Sequence, residues 1–212
     1  MSAMTINSNS KTHMHILIGK IVVSILALCS SSALAQDNLK FSKSKIINKM
    51  TTTDFTTTLF VDQTPEAAFN AINNVRGWWS EEIEGSTNKL NDEFNYHFED
   101  LHRAQLKLIE VIRNKKVVWL VKENYFKFTK DKTEWTGTKI IFEISVQNKQ
   151  TQIQFTHLGL VPDYECYEIC EDAWTNYIQN SLRSLIVTGK GQPNGKDKPR
   201  TENEKKLRAT VK

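Results

Sequence analysis

The sequence predicts an α+β fold: a curved antiparallel β-sheet wrapped around a long C-terminal α-helix, with two short helices after the first strand. Three observations carry this. Residues 93–158 repeat with a period of two, the mark of strands with one buried and one wet face. The segments joining those repeats are short and polar, so neighbouring strands run antiparallel. Tyr167, Cys170, Trp174, Tyr177, Ile178, Ser181, Leu182 and Leu185 keep three-and-four spacing, which builds one wide apolar stripe on a helix over about 165–187. A sheet with one wet face needs a cover for the other, and that helix is the long element available.

In chain order, Asp54-Phe-Thr-Thr-Thr-Leu-Phe-Val61 is rich in β-branched and aromatic residues and reads as a strand. Thr64-Pro65-Glu66 then opens a helix: an N-cap hydroxyl, a proline at the first helical position, and an acid near the positive helix end. Gly77 interrupts that helix, and a second short turn follows at Trp78-Trp79. Phe94, Tyr96 and Phe98 alternate with polar residues; so do Leu106 and Leu108, then Ile140, Phe142, Ile144 and Val146, then Ile153, Phe155 and His157. Val117-Val-Trp-Leu-Val121 is a continuous apolar strand. Gly189 stands where a helix ends in the left-handed conformation, and Lys190 suits the negative helix end.

Of the 212 residues, 25% are charged and 39% hydrophobic, which excludes collagen-like, coiled-coil and largely disordered chains. The formal charge of +4 is uneven: +5 over residues 1–49, −5 over 50–192 and +4 over 193–212. An acidic body with basic ends makes a poor nucleic-acid binder, because phosphate affinity needs clustered cations on a folded face. Residues 1–35 read as a signal peptide, with a basic region, a nine-residue apolar core ending at Cys29, and a small-residue site at Ala33 and Ala35. The apolar run is too short for a stable membrane anchor, which takes about 20 residues. Export to the periplasm or outside the cell follows, unless translation starts at Met50 and the protein is cytoplasmic. Residues 36–49 read as a polar linker, 50–192 as the folded domain, and 193–212 as a disordered basic tail, since that tail has too few apolar residues to offset chain entropy.

Several short words recur in a fixed order: Thr64-Pro-Glu-Ala-Ala-Phe69, Gly77-Trp-Trp-Ser80, Trp135-Thr-Gly-Thr138, Phe155-Thr-His-Leu-Gly159, and Trp174 with Ser181-Leu-Arg183 and Thr188-Gly-Lys-Gly191. With this order of elements the chain resembles the SRPBCC or START-related superfamily over about residues 54–192. More closely, it is similar to the domain shared with the activator of heat-shock-protein-90 ATPase. The resemblance implies a helix-grip fold and a cavity between sheet and last helix that in relatives holds apolar or amphipathic small molecules. It implies no fixed catalytic set, because the superfamily hosts carriers, cyclases and co-chaperone domains alike.

Trp79, Phe94, Tyr96, Trp119, Phe142, Phe155, His157, Cys170, Trp174 and Tyr177 are the candidate ligand-lining residues. His157 shares strand parity with Ile153 and Phe155, and its imidazole could orient a carbonyl or act as a base. The plainer reading, a buried histidine satisfied by structural partners, weighs more. Tyr96 could put a polar tip on an apolar cavity, and the tryptophans also serve ordinary packing. Cys166 and Cys170 lie four apart on the last helix. They read as small core residues rather than as a metal pair or a disulfide. No nucleotide, zinc-protease or serine-hydrolase motif occurs, so no catalytic residue and no cofactor are expected. The expected function is non-catalytic binding of a small hydrophobic molecule. The alternatives are an enzyme using His157 and Tyr96 on a carbonyl compound, and a cytosolic interaction domain with a protein partner.

Overall fold

A computed structural model describes residues 53–195 and 198–211, all within the unit spanning Asn48–Lys212. The signal peptide and linker expected over residues 1–49 lie outside the described residues. Strand β1 (Phe55–Val61) leads into α1 (Pro65–Asn73) and the single turn α2 (Val75–Trp78). Five longer strands follow the two-residue β2 (Glu84–Gly85): β3 (Glu93–Phe98), β4 (His102–Ile112), β5 (Lys116–Phe126), β6 (Lys139–Gln147) and β7 (Gln150–Leu158). They form one antiparallel sheet in the order β1-β7-β6-β5-β4-β3-β2. Two register shifts between β4 and β5, at Gln105/Leu106 and Leu108/Glu110, bend these two 11-residue strands.

The long helix runs over residues 167–188 as α3 (Tyr167–Asn176), a π-helical turn (Tyr177–Leu182) and α4 (Arg183–Thr188). Its start is fixed from outside, since the Glu134 carboxylate accepts from the backbone N–H groups of Glu165 (2.7 Å) and Cys166 (3.0 Å). An anion there meets unpaired donors and the positive helix end together. Gly189 ends the helix at φ 76°, in the left-handed conformation the sequence predicts. At α1, Thr64 caps as expected, its Oγ1 accepting from Ala67 N at 3.2 Å. Cys166 and Cys170 are buried free thiols. Alternation in β3, β4 and β7 puts one set of side chains inward, where they meet Trp174, Tyr177, Ile178 and Leu182 of the long helix. Among the described residues no helix is long and apolar enough to cross a membrane.

The segment expected to be a disordered tail is folded in its described part, and this corrects the reading from composition. Asn194 forms a parallel bridge beside Trp79–Glu81, its N–H donating to Trp79 O and its carbonyl accepting from Glu81 N, both at 2.8 Å. Helix α5 (Glu202–Val211) follows. Thr201 and Glu204 form a reciprocal capping box: Glu204 N donates to Thr201 Oγ1 (3.1 Å), and Thr201 N donates to Glu204 Oε2 (3.0 Å). Leu207 and Glu204 are buried against the domain. Average composition over twenty residues hides such an anchor, because one cap and one apolar turn are enough to dock a short helix.

Candidate functional site

Where α3, α5 and the β3–β4 end of the sheet meet, side chains enclose a chamber of about 40 Å³. The sheet contributes Tyr96, Phe98 and His102, the turn before β6 contributes Trp135, and Trp79 follows α2. Helix α3 and the π-turn supply Cys170, Ala173, Trp174 and Tyr177, and α5 closes the roof with Glu204 and Leu207. The walls are mostly aromatic: Trp79 stacks on Tyr96 (centroids 4.2 Å), and Trp135 lies near-parallel to Trp174 (5.8 Å, 14°). The π-turn begins at Tyr177, whose hydroxyl donates to Glu204 Oε1 at 3.0 Å and so ties α5 to the long helix. Arg208 of α5 pairs with Glu99 at 2.7 Å.

Of the ten residues singled out in the sequence, five line this chamber: Trp79, Tyr96, Cys170, Trp174 and Tyr177. Phe94, Trp119, Phe142 and Phe155 are fully buried but pack elsewhere on the inner face, Trp119 against Trp78, Phe94 and Phe142. His157 also lies outside the lining. Trp174 Nε1 donates to its Nδ1 (3.0 Å), so its Nε2 carries the proton and donates to Thr138 Oγ1 (2.9 Å); that hydroxyl in turn donates to Trp135 O (2.6 Å). Every polar atom in this chain is used, so His157 holds structure together and is not free for a substrate.

His102 is the polar chamber residue that escaped the sequence reading. It is 8% exposed, and its Nε2 is buried with no hydrogen-bond partner. Its ring lies 4.3–5.0 Å, centroid to centroid, from Phe126, Trp135 and Tyr96. Trp135 Nε1, in the same lining, is buried and has the Cys170 thiol as its neighbouring acceptor. Trp119 Nε1 is orphaned too, but it is packed among aromatic rings away from the chamber.

Burial sets the protonation of the site. It lowers His102 from the ordinary value of 6.5 to about 3, with the charge of His157 adding to the effect, and it lowers His157 alike to about 3. Burial also pushes the Tyr96 and Tyr177 hydroxyls and the Cys170 thiol well up. At neutral pH the chamber therefore presents neutral imidazole, neutral phenols and a protonated thiol. The Glu204 carboxylate is already occupied by Tyr177, Thr201 N and Arg200 N.

No protein-family model matches the chain, and no curated protein does. Solved structures do. The Aha1 dimer from Colwellia psychrerythraea is similar at a TM-score of 0.53 and 22% identity, over 66% of this chain and 99% of that one. Protein MLL2253 from Mesorhizobium loti scores 0.49 at 12% identity, over 62% and 96%. DynU16, from the dynemicin biosynthetic locus, scores 0.47 at 10% identity, over 64% and 48%. The chain shares the fold of the Aha1 structure, the helix-grip architecture that the ordered sequence words imply. Sheet and long helix then define the class: an α+β domain of helix-grip fold.

Proposed function

We propose that this protein binds a small hydrophobic or amphipathic molecule between the sheet and the C-terminal helix, without catalysis. The observation that supports it most is the aromatic chamber, walled by the sheet on one side and α3 on the other, with few polar groups, as ligand sites generally are. At about 40 Å³ the chamber holds a few water molecules and not a ligand, since an engineered cavity that takes benzene measures about 150 Å³. The ligand therefore enters by lifting α5. That wall is the one to yield: it is short and polar, and its buried residues are Glu204 and Leu207. The structural bonds at both His157 nitrogens favour binding over the enzyme alternative that uses it as a base.

The reading carries export with it, and N-terminal sequencing of the native protein should then begin at Gln36. For the binding itself, thermal shift with fatty acids, isoprenoid alcohols and polycyclic aromatics is the direct experiment. Wild type and Leu207→Glu, which loosens the roof, are compared. A ligand present at 100 times its Kd adds about 2.7 kcal/mol of stability and moves Tm by several degrees. A flat response from both proteins across all three classes contradicts the proposal.

A further inference from the structure

We infer a second binding site on the outer face of the sheet: an open groove across β2, β3, β4 and β5 that takes a neutral polyhydroxylated molecule, a short oligosaccharide in chemical class, on Asn95, Gln105 and Arg103. It lies on the opposite side of the sheet from the long helix and does not depend on the binding role proposed above.

Cross-strand partners share one face of a sheet. Glu84 pairs with Asn95, Asn95 with Gln105, and Gln105 with Glu123, so one row of carboxylates and carboxamides crosses four strands. Strands lie about 4.8 Å apart, which makes the row about 14 Å long, the span of a short oligosaccharide. In the next row His97 pairs with Arg103, and Arg103 with Tyr125. On β3, β4 and β5 these residues alternate with buried Phe94, Tyr96, Ala104 and Asn124, so both rows face away from the core. They line a groove of about 610 Å³. The register shift at Gln105/Leu106 falls within it, and such a bulge re-aims the side chains beside it. Elsewhere on this face neighbouring side chains pair with one another: Glu93 binds Lys122 (2.9 Å) and Lys107 (3.7 Å), and Thr56 meets Thr156 at 3.2 Å. In the groove Glu84, Asn95, Gln105 and Glu123 stand in register, yet their side chains make no hydrogen bond or ion pair among the described residues. Arg103 makes none either; its guanidinium sits 4.9 Å from the Tyr125 ring centroid, where cation–π attraction holds it without using its N–H donors. Carboxylates only accept, a guanidinium only donates, and carboxamides do both. Hydroxyl groups also do both, so a chain of them matches the whole set. An anion would meet Glu84 and Glu123, and a cation would meet Arg103. The two carboxylates stand at opposite ends of the row, too far apart to share a metal ion. An apolar molecule would strip water from all of these groups and leave them without partners.

The experiment titrates the full chain with maltotriose, cellotriose and the trimer of N-acetylglucosamine, and with spermidine and trigalacturonate as charged counterparts. Binding is read by NMR from the side-chain amide resonances of Asn95 and Gln105, with the tryptophan indoles of the chamber as the control. At least one neutral sugar should move the two amides saturably and leave the indoles in place. Arg103→Ala and Gln105→Ala, both outside the core, should keep the wild-type Tm and should each weaken that binding about tenfold. Flat or non-saturating shifts with all three sugars overturn the inference, as does binding that both variants leave unchanged. Tighter binding of spermidine or trigalacturonate than of every neutral sugar overturns it too, because the groove would then select charge. The wild-type series decides even if a variant folds poorly, and none of these results bears on the chamber, whose test is the thermal-shift panel.

Discussion

The inner face of the sheet has two ends built to different standards. At one end Trp119 is fully buried between Trp78, Phe94 and Phe142, with ring centroids 5.1–6.3 Å apart. At the other, beneath α5, the same kind of aromatic wall stops short of contact and leaves a chamber. The buried histidines follow the same division: His157 is bonded at both nitrogens, and His102 is left open at Nε2. Both feel the same desolvation, so burial does not distinguish structure from site. For the two histidines the difference lies in the ring nitrogens: both are bonded in His157, and Nε2 is not in His102.

The largest effect expected from this contrast is on packing. Trp119→Ala should cost about 3–5 kcal/mol in urea unfolding, the range for a large aromatic deleted from a tight core. Leu207→Ala, over an existing void, should cost about 1–2 kcal/mol, because a side chain beside empty space makes fewer contacts. Equal costs would mean that the two ends are packed alike.

Next come the histidines. His157→Phe strands Trp174 Nε1 and Thr138 and should cost about 2–3 kcal/mol. His102→Phe removes an orphaned polar atom among aromatic rings, and should leave stability unchanged or slightly raised. Equilibrium denaturation of the two variants side by side decides it; a loss of more than 2 kcal/mol for His102→Phe would show that His102 is structural.

Acid stability gives a smaller, graded effect. Both imidazoles are neutral in the fold down to about pH 3, whereas in the unfolded chain they protonate below about 6.5. The unfolded state thus binds more protons in that window, so stability is complete above pH 6.5 and is lost as pH falls toward 3. Each histidine contributes at most about 1.4 kcal/mol per pH unit. His102→Phe should remove about half of the slope between pH 6 and 5. The smallest effect is expected at the latch. Tyr177→Phe loses the bond to Glu204 and should weaken α5 docking by about 1–2 kcal/mol, read as faster amide exchange over residues 202–211 with the sheet unchanged.

Much of this was legible in the sequence. Strand parity placed Tyr96 and His157 on the inner face, Thr64 and Gly189 marked helix ends, and helical spacing put Cys170, Trp174 and Tyr177 on one stripe. Parity says which face a residue occupies, but not how far along the sheet the packing closes. For that reason Phe94, Trp119, Phe142 and Phe155 were grouped with the chamber though they pack beyond it. The alternation in the sequence is clear only from Leu106 onward; carrying its parity back through Ala104 reaches His102. Helix α5 was missed because its signal is local, the Thr201-Glu-Asn-Glu204 capping box and one apolar turn, inside a stretch dominated by charge.

The central claim is that a ligand enters the chamber beneath α5, beside His102, and not the tightly bonded region around His157. Imidazole nitrogen NMR on histidine-labelled protein addresses it directly, with spectra recorded before and after adding whichever compound of the thermal-shift panel stabilises the protein most. The account predicts that the His102 ring resonances shift as the ligand comes to lie beside that ring, while both His157 nitrogens stay in place. A bound chain in which His102 does not move, or in which His157 moves instead, would contradict it.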